Sequence, residues 1–582
     1  MGVLRIWNLR RGDADDDRLS TYTGGLQKLF VAAVFEFNYL KAPVGFLFLV
    51  IFPALVVGIA PSLVASFGHA VFHTTTLAGT NLVFIIIILV VLLGTAFLIG
   101  RPFFAKAFID FRHLQYTLVF PIFVAFREVL RTFGERLGGS SMTAERLSRI
   151  RQIATAVAAL LFAAAGLALA IKVELSFGLK LVDVEHVRVL AVLGAALGNA
   201  AVILGVSTAF ESLFWIWREL TLTRPALDWV PSPAESRGTV LRIAHLSDLH
   251  IVGERYGYRM ETGTHGPRGN RCFRNALRKL ADIHAKTPLE CVLVTGDITD
   301  AGTRAEWTAF MDLLRTCPDM RNRLSLVPGN HDLNIVDRSN PGRLDLPWSG
   351  GQGLRKLRFL LALDAIQGSR VRLVNRTSGD LGVSLKNYLR ESNRLQSLRT
   401  LARYGSIRGR WEMVKAWDAI FPLIEPPQTD RCGLILLDSN ATSHFSLTNA
   451  IGVVSPSQLK RLKLVLRNFP GASWIILLHH SVVEYPDTSI SLKDRIGLAL
   501  VNAPELLAAI RPYTSRVIIL HGHRHMDWIG TWGDLVLSSA PSVSFGSSGR
   551  DKLPGSFHIH EVVLRGDAGL RLLKTQSVAV AG

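Results

Sequence analysis

The sequence predicts an all-α transmembrane region followed by an α/β domain. Three observations carry this expectation. Four apolar runs without Asp, Glu, Lys or Arg lie before residue 211. Beyond residue 240, short β-rich apolar runs alternate with helical stretches. Those short runs repeatedly end in Asp, Asn and His, residues that bind metal ions. The composition agrees with the split. Of 582 residues, 49% are hydrophobic and 19% charged, which excludes a disordered or fibrous chain and is too apolar for an ordinary soluble enzyme. Lys and Arg number 65 against 46 Asp and Glu, a net charge of +19 that calls for an anionic partner. The four cysteines show no C-x-x-C spacing, which excludes a zinc ribbon and a disulfide scaffold and fits a reducing compartment.

The four apolar runs are 45–67, 81–100, 153–171 and 189–210. Each reaches the ~20 residues that a helix needs to cross ~30 Å of hydrocarbon. The 44 residues before the first run hold eleven charges, so that run is not a cleavable signal peptide. The connection 101–152 carries nine Lys and Arg, whereas 68–80 carries no charge. The positive-inside rule then places 101–152, and with it both termini, on the cytoplasmic side. Phe210, Phe214, Trp215 and Trp217, followed by Arg218, resemble an interfacial anchor. The 14-residue stretch 113–126 contains Pro121 and is too short to span, so it is expected at the interface. No ionisable group lies within the four runs, which gives little support to a conduction role. Gly194 and Gly198 form a small-xxx-small step suited to helix packing, within one chain or in a homodimer.

Residues 219–240 contain Pro225, Pro231 and Pro233 and read as a linker. From 241 to 582 the apolar runs LRIAHLSDLH, CVLVTGD, LSLVPGNHD, CGLILLDSN, SWIILLHH and RVIILHGHRH read as strands. Helical stretches at 270–285, 304–316 and 457–468 lie between them. Strand–helix alternation implies layered sheets, with functional residues at the carboxyl ends of strands.

The polar strand ends are, in order, Asp248-x-His250, Gly296-Asp297, Gly329-Asn330-His331-Asp332, His479-His480 and His521-Gly522-His523-Arg524-His525. One such pair would be noise, but five are a constellation. Oxygen and imidazole ligands on tight turns suit borderline divalent metals. Glycines precede Asp297, Asn330 and His523, where backbones must approach closely.

This pattern of D-x-H, G-D, G-N-H-D, a histidine after a buried strand, and G-H-x-H resembles the calcineurin-like metallophosphoesterases. GDITD, LLDSN and APSVS resemble its class III cyclic-nucleotide and glycerophosphodiester branch. The resemblance covers about Leu241 to Leu564 and does not extend to residues 1–240. It implies a four-layer α/β/β/α sandwich and two divalent metal ions, with Mn, Fe, Zn and Co all compatible. One ion would be held by Asp248, His250, Asp297 and His525, and the other by Asp297, Asn330, His479 and His523, with Asp297 bridging. His331 would donate a proton, oriented by Asp332. His479 is preferred to His480 because the family's ligand directly follows the strand, although Ser481 and Val482 stand where the family often has proline. His521 reads as a strand end. The resemblance implies phosphoester hydrolysis, with phosphodiesters first, phosphomonoesters (lipid phosphates included) second, and a non-catalytic membrane-anchored sensor or scaffold third. The location implied is a bacterial inner membrane, with the catalytic domain cytoplasmic.

A long insertion at about 338–430 distinguishes this chain. Residues 351–418 hold fourteen Lys and Arg against five Asp and Glu. Arg390, Arg394, Arg399 and Arg403 interleave with Leu395, Leu398 and Leu401 at helical spacing, so a basic amphipathic helical insertion is expected. It reads as a solvated cap, a contact for anionic lipid headgroups, or a surface that gathers anionic substrate. Nucleic-acid binding lacks a recognisable module.

Overall fold

The computed structural model describes residues 41–77, 114–139, 142–177, 189–222 and most of 226–580, with isolated positions between 86 and 112. The chain divides into two compact units, one comprising Tyr39–Ser140 and Arg149–Thr221 and the other holding Leu222–Gly582.

The first unit is helical among the described residues. Its long elements are α1 (Phe52–Leu77), α2 (Phe120–Gly138), α3 (Ala144–Phe177) and α4 (Val189–Leu222). Three stretches, Lys41–His69, Glu145–Ser176 and Val189–Thr221, are long and apolar enough to cross a membrane. They contain the expected runs 45–67, 153–171 and 189–210 and extend beyond them. The run expected at 81–100 falls almost wholly outside the described residues. The stretch 113–126 is not a separate short segment. A π-helical turn at Gln115–Val119 runs directly into α2, Pro121 is the second residue after that turn, and the helix continues to Gly138.

Charged residues of 101–152 are not simply a solvated loop. Arg131 reaches Glu219 at 2.8 Å and Thr155 at 2.7 Å, and Arg151 reaches Glu135 at 2.6 Å, all with little exposed surface. Pairing is what permits these charges to be buried between helices. Gly58 and Asn199 show how closely α1 and α4 pack, because the Asn199 amide donates to the Gly58 carbonyl at 3.1 Å. Arg218 stacks over Phe214 and Trp217, with its guanidinium carbon 4.9 and 4.7 Å from the ring centres.

The second unit is built on two sheets. Its strands are β1 (Leu227–Asp228), β2 (Thr239–Leu246), β3 (Tyr258–Arg259), β4 (Thr264–His265), β5 (Cys291–Thr295), β6 (Leu324–Val327), β7 (Arg372–Val374), β8 (Leu381–Ser384), β9 (Leu423–Glu425), β10 (Gly433–Leu436), β11 (Trp474–Leu477), β12 (Val517–His521), β13 (Trp528–Trp532), β14 (Leu535–Ser539), β15 (Ser556–Leu564) and β16 (Leu570–Ala579). A nine-stranded sheet runs β1-β13-β14-β12-β11-β10-β9-β7-β8, a five-stranded sheet runs β16-β15-β2-β5-β6, and β3 and β4 form a small hairpin. Helices α5 (Arg268–Lys286), α6 (Arg304–Arg315), α7 (Gly351–Gln367), α8 (Ser392–Tyr404), α9 (Ile407–Ile420), α10 (Pro456–Asn468) and α11 (Ala503–Ile510) complete it.

Strand alternation explains the layering. Leu434, Leu436, Ile475, Leu477, Ile518 and Leu520 join the same buried cluster as the five-stranded sheet. The intervening Ile435, Ile476 and Ile519 join a second cluster with Leu459, Leu462 and Val465 of α10 and Leu506 of α11. Both faces of β10–β12 are therefore covered, which is why these strands read as continuous apolar runs. On the other sheet, Phe273 and Leu277 of α5 and Trp307 and Phe310 of α6 are fully buried. Helices flank two stacked sheets, as the expected sandwich requires. The three helices foreseen at 270–285, 304–316 and 457–468 are α5, α6 and α10, and α6 begins with a complete capping box between Thr303 and Glu306.

Two expectations need correction. The linker at 219–240 is shorter than its prolines suggested, because α4 runs to Leu222 and Leu227–Asp228 pairs with β13 at the sheet edge. The insertion at 338–430 is not purely helical, because β7, β8 and β9 extend the nine-stranded sheet. Its helices pack on the domain through Leu398, Leu401, Met413 and Trp417, all buried. The Arg394 guanidinium lies 3.6 Å from the Tyr388 ring centre and bonds the Tyr388 carbonyl and Glu391, while Arg399 is exposed.

Candidate metal centre

β2, β5 and β6 run parallel to one another, as do β10, β11, β12 and β14. Their carboxyl ends therefore share an edge, and the polar turns gather there. Asp248 follows β2, Asp297 follows β5, Asn330 follows β6, His479 follows β11, and His523 follows β12. Cross-links join turns of different sheets. The His523 N–H donates to Asp248 Oδ2 at 3.1 Å and the Ser542 hydroxyl donates to the Asp248 carbonyl at 2.8 Å, while within the nine-stranded sheet the Gly522 N–H donates to the His479 carbonyl at 3.0 Å.

The glycines are steric necessities. A Cβ on Gly329 would stand 2.1 Å from Asp297 Oδ1, and one on Gly296 would stand 2.5 Å from His479 Nδ1. Backbone conformation is more telling still. Asp248, His250, Asp297, His523 and His525 have φ between 45° and 71°, and they are the non-glycine residues with positive φ among those described. Such conformations cost about 1–3 kcal/mol each and persist at functional sites.

The side chains converge in buried space. His479 Nε2 lies 3.3 Å from Asp297 Oδ2, 3.1 Å from Asn330 Oδ1 and 3.0 Å from His523 Nδ1. His250 Nε2 lies 3.9 Å from Asp297 Oδ2 and 4.0 Å from Asp248 Oδ1, and His525 Nε2 lies 3.2 Å from Asp248 Oδ1. Three sets of donor atoms fall within 4.8 Å of one another: Asp248, His250 and His525; His250, Asp297 and His331; and Asp297, His479 and His523. Every residue singled out from the sequence as a ligand thus lies in this one cluster.

The electrostatics suit a cation. Burial would raise Asp297, yet His479, His331 and His250 hold it well below the usual carboxylate range. Burial pulls His479 down, but Asp297 outweighs it and pushes the imidazole up to about 9. His250 is lowered to about 4 by burial, and so presents a neutral ring. Two fully buried carboxylates, four imidazoles and an amide oxygen form an oxygen and nitrogen donor set that fits divalent metals. The rings are also fixed from behind. His479 Nδ1 donates to the Thr295 carbonyl at 2.7 Å, and His250 Nδ1 lies 3.1 Å from Asp300 Oδ1. Such outer contacts orient metal-binding histidines.

His480 packs on His523, ring centres 4.3 Å apart, but both of its nitrogens are engaged outside the cluster. Its Nδ1 lies 2.8 Å from the Ser439 hydroxyl and its Nε2 lies 3.1 Å from the Ala450 carbonyl. His521 is buried at the end of β12 and is lowered to about 3 by burial.

The role expected of Asp332 is corrected. Its carboxylate accepts from the N–H groups of Ile298, Thr299 and Gly329 and from the Thr299 hydroxyl, at 2.7–3.2 Å. It ties two turns together, and a carboxylate so occupied does not orient His331. The His331 ring is held by Asp300 instead, through a 2.7 Å bond from Nδ1 to the carbonyl. Asp300 had not been singled out from the motifs, although it is the last residue of GDITD and touches both His331 and His250.

Fold and site together define a metal-binding hydrolase domain of layered sheets. Residues 241–527 match the model of the calcineurin-like phosphoesterase family, and this part of the chain belongs to that family. A probable cyclic nucleotide phosphodiesterase of Coxiella burnetii is 30% identical over 104 residues, or 17% of this chain and 36% of that protein. The chain therefore matches about a third of that relative's length. Among solved structures, a dimetal phosphatase from Danio rerio is 16% identical at a TM-score of 0.31, covering 59% of this chain and all of that one. A purple acid phosphatase from yellow lupin (Lupinus luteus) is 11% identical at a TM-score of 0.27, covering 60% of this chain and 55% of that one.

Proposed function

We propose that this chain is a membrane-anchored phosphoesterase that depends on two divalent metal ions and acts first on phosphodiesters. The observation that carries the reading is the placement of Asp297, whose Oδ2 stands within 4.0 Å of ring nitrogens of His479, His250 and His331. A carboxylate so placed suits a bridge. Asp248, His250, Asp297 and His525 would hold one ion, and Asp297, Asn330, His479 and His523 the other. Bound there, two such ions would supply positive charge for phosphoryl oxygens and a hydroxide at neutral pH. Manganese, iron, zinc or cobalt would suit the donor set.

The protein's own groups do the rest. Because a carbonyl oxygen only accepts, the Nδ1 of His331 carries a hydrogen, and its Nε2 faces the carboxylate cluster. Against the pull of burial, Asp297 and Asp300 push the ring up toward the doubly protonated imidazolium, and from that form the Nε2–H gives its proton to the departing alkoxide. Phosphodiester preference is supported by the GDITD, LLDSN and APSVS phrases and by the Coxiella relative's description. Three long apolar helices support membrane anchoring, and the basic connection 101–152 supports a cytoplasmic domain in a bacterial inner membrane.

The test uses the full chain in detergent with Mn²⁺ and an aryl phosphodiester. Hydrolysis that disappears in Asp297→Ala is expected. Equal inertness of both proteins across divalent metals would instead favour a non-catalytic scaffold, and faster turnover of aryl phosphomonoesters would make the chain a monoesterase.

A further inference from the structure

A second group of histidines lies away from that centre, between the two sheets. His558 and His560 alternate on β15 and so share a face, and His245 of β2 is the register partner of His558. Ser538 reaches them from β14 of the facing sheet. All four side chains are at most 2% exposed. Outward contacts fix the ring nitrogens. His558 Nε2 lies 2.8 Å from Asp527 Oδ1, an atom that only accepts, so it is Nδ1 of the neutral ring that offers a lone pair inward. The Thr295 hydroxyl donates to the Leu246 carbonyl, so it accepts from His245 Nε2 at 3.0 Å, and His245 Nδ1 also turns a lone pair inward. His560 Nδ1 is held by the Thr575 hydroxyl at 2.8 Å, which leaves Nε2 facing inward.

The inner distances are distinctive. His560 Nε2 lies 3.4 Å from His245 Nδ1 and 3.3 Å from Ser538 Oγ, and Ser538 Oγ lies 3.4 Å from His558 Nδ1. Nitrogen–oxygen hydrogen bonds usually span about 2.7–3.2 Å, so both contacts to Ser538 are long. Zinc–nitrogen bonds of about 2.0–2.1 Å in a tetrahedron give edges of about 3.3–3.4 Å. The donor atoms of the three histidines lie within 4.8 Å of one another.

We propose that His245, His558 and His560, with the Ser538 hydroxyl as fourth ligand, bind a structural zinc-class ion that pins the two sheets together. All four positions are filled by protein, which marks a closed structural site and leaves none for substrate. Outer partners on all three rings, Thr295, Asp527 and Thr575, match the way metal-binding imidazoles are oriented. Burial also keeps His245 and His560 well below the usual histidine range, in the neutral form that ligates. Thr295 links the two centres, because its hydroxyl holds His245 and its carbonyl holds His479.

The test is zinc content of the full chain in detergent after chelation and reconstitution with Zn²⁺. Wild type is expected to hold one zinc per chain more than His560→Phe, whereas an equal content in both overturns the proposal. Independently of whether the phenylalanine variant folds, crystals of the reconstituted wild type give a second reading. Anomalous scattering at the zinc edge is expected at the centre of the triad. Its absence there, with zinc present beside Asp297, overturns the proposal without touching the assignment of the Asp297 centre, which stands or falls on Asp297→Ala.

Discussion

The His331 ring donates through Nδ1 to the backbone carbonyl of Asp300 at 2.7 Å. The Asp300 carboxylate simultaneously lies 3.1 Å from His250 Nδ1. One residue therefore aims two histidines, one with its main chain and one with its side chain. Asp300→Ala spares the first contact and removes the second. It should weaken metal binding by roughly 10- to 100-fold, the usual cost of losing an outer partner, while leaving the leaving-group dependence of turnover unchanged. Chelator-competition titration and a leaving-group series measure the two effects.

His331→Asn should lower kcat by roughly 10²- to 10⁴-fold, the range for losing a general acid. The loss should shrink for 4-nitrophenolate, which departs without a proton, and grow for alkoxides. Equal losses across the series would remove His331 from the proton-transfer step.

Asp332→Asn places an amide where three N–H donors converge. Hydrogen bonds to charged groups contribute roughly 1.5–3 kcal/mol each, so thermal unfolding should shift downward by several degrees. If the fall is confined to kcat and the unfolding temperature does not move, Asp332 acts on the chemistry and not on the turns.

His444 is lowered by burial, while its Nδ1 bonds the Asp345 carbonyl at 3.0 Å. A histidine depressed in the folded state contributes its full stability above its unfolded pKa of about 6.5 and loses it as pH falls below that value. His444→Gln should therefore flatten the decline of Tm between pH 7 and pH 5. Parallel Tm–pH curves for the two proteins would count against this.

In the helical unit, Arg131→Met takes away the buried partner of Glu219, whereas Glu128 keeps Arg127 at 2.7 Å. Removing one member of a buried pair costs about 3–5 kcal/mol. Folded yield in detergent should drop, and Arg131→Met combined with Glu219→Gln should recover part of it. No recovery in the double variant would show that the pair is not coupled.

What the sequence made legible follows from what leaves a local trace. Asp248, His250, Asp297, Asn330, His479, His523 and His525 each close a buried strand, so order along the chain predicted convergence in space. Strands β10–β12 were readable because burial on both faces enforces continuous apolar runs. β7 has only three residues and owes its place to neighbours, so the insertion looked purely helical. Asp332 was misassigned because adjacency to His331 says nothing about where a carboxylate points, and its partners come from the turns at Ile298 and Gly329. His245 and His560 stand 315 residues apart, and each alone looks like an ordinary polar position on a strand.

The left-handed backbone at Asp248, His250, Asp297, His523 and His525 has an evolutionary consequence. Those turns are held in place by the surrounding fold. Glycine at any one of them would relax the chain and tend to make the protein sturdier as it disarmed it. A lineage released from selection on this site would be expected to gather glycine at these positions early.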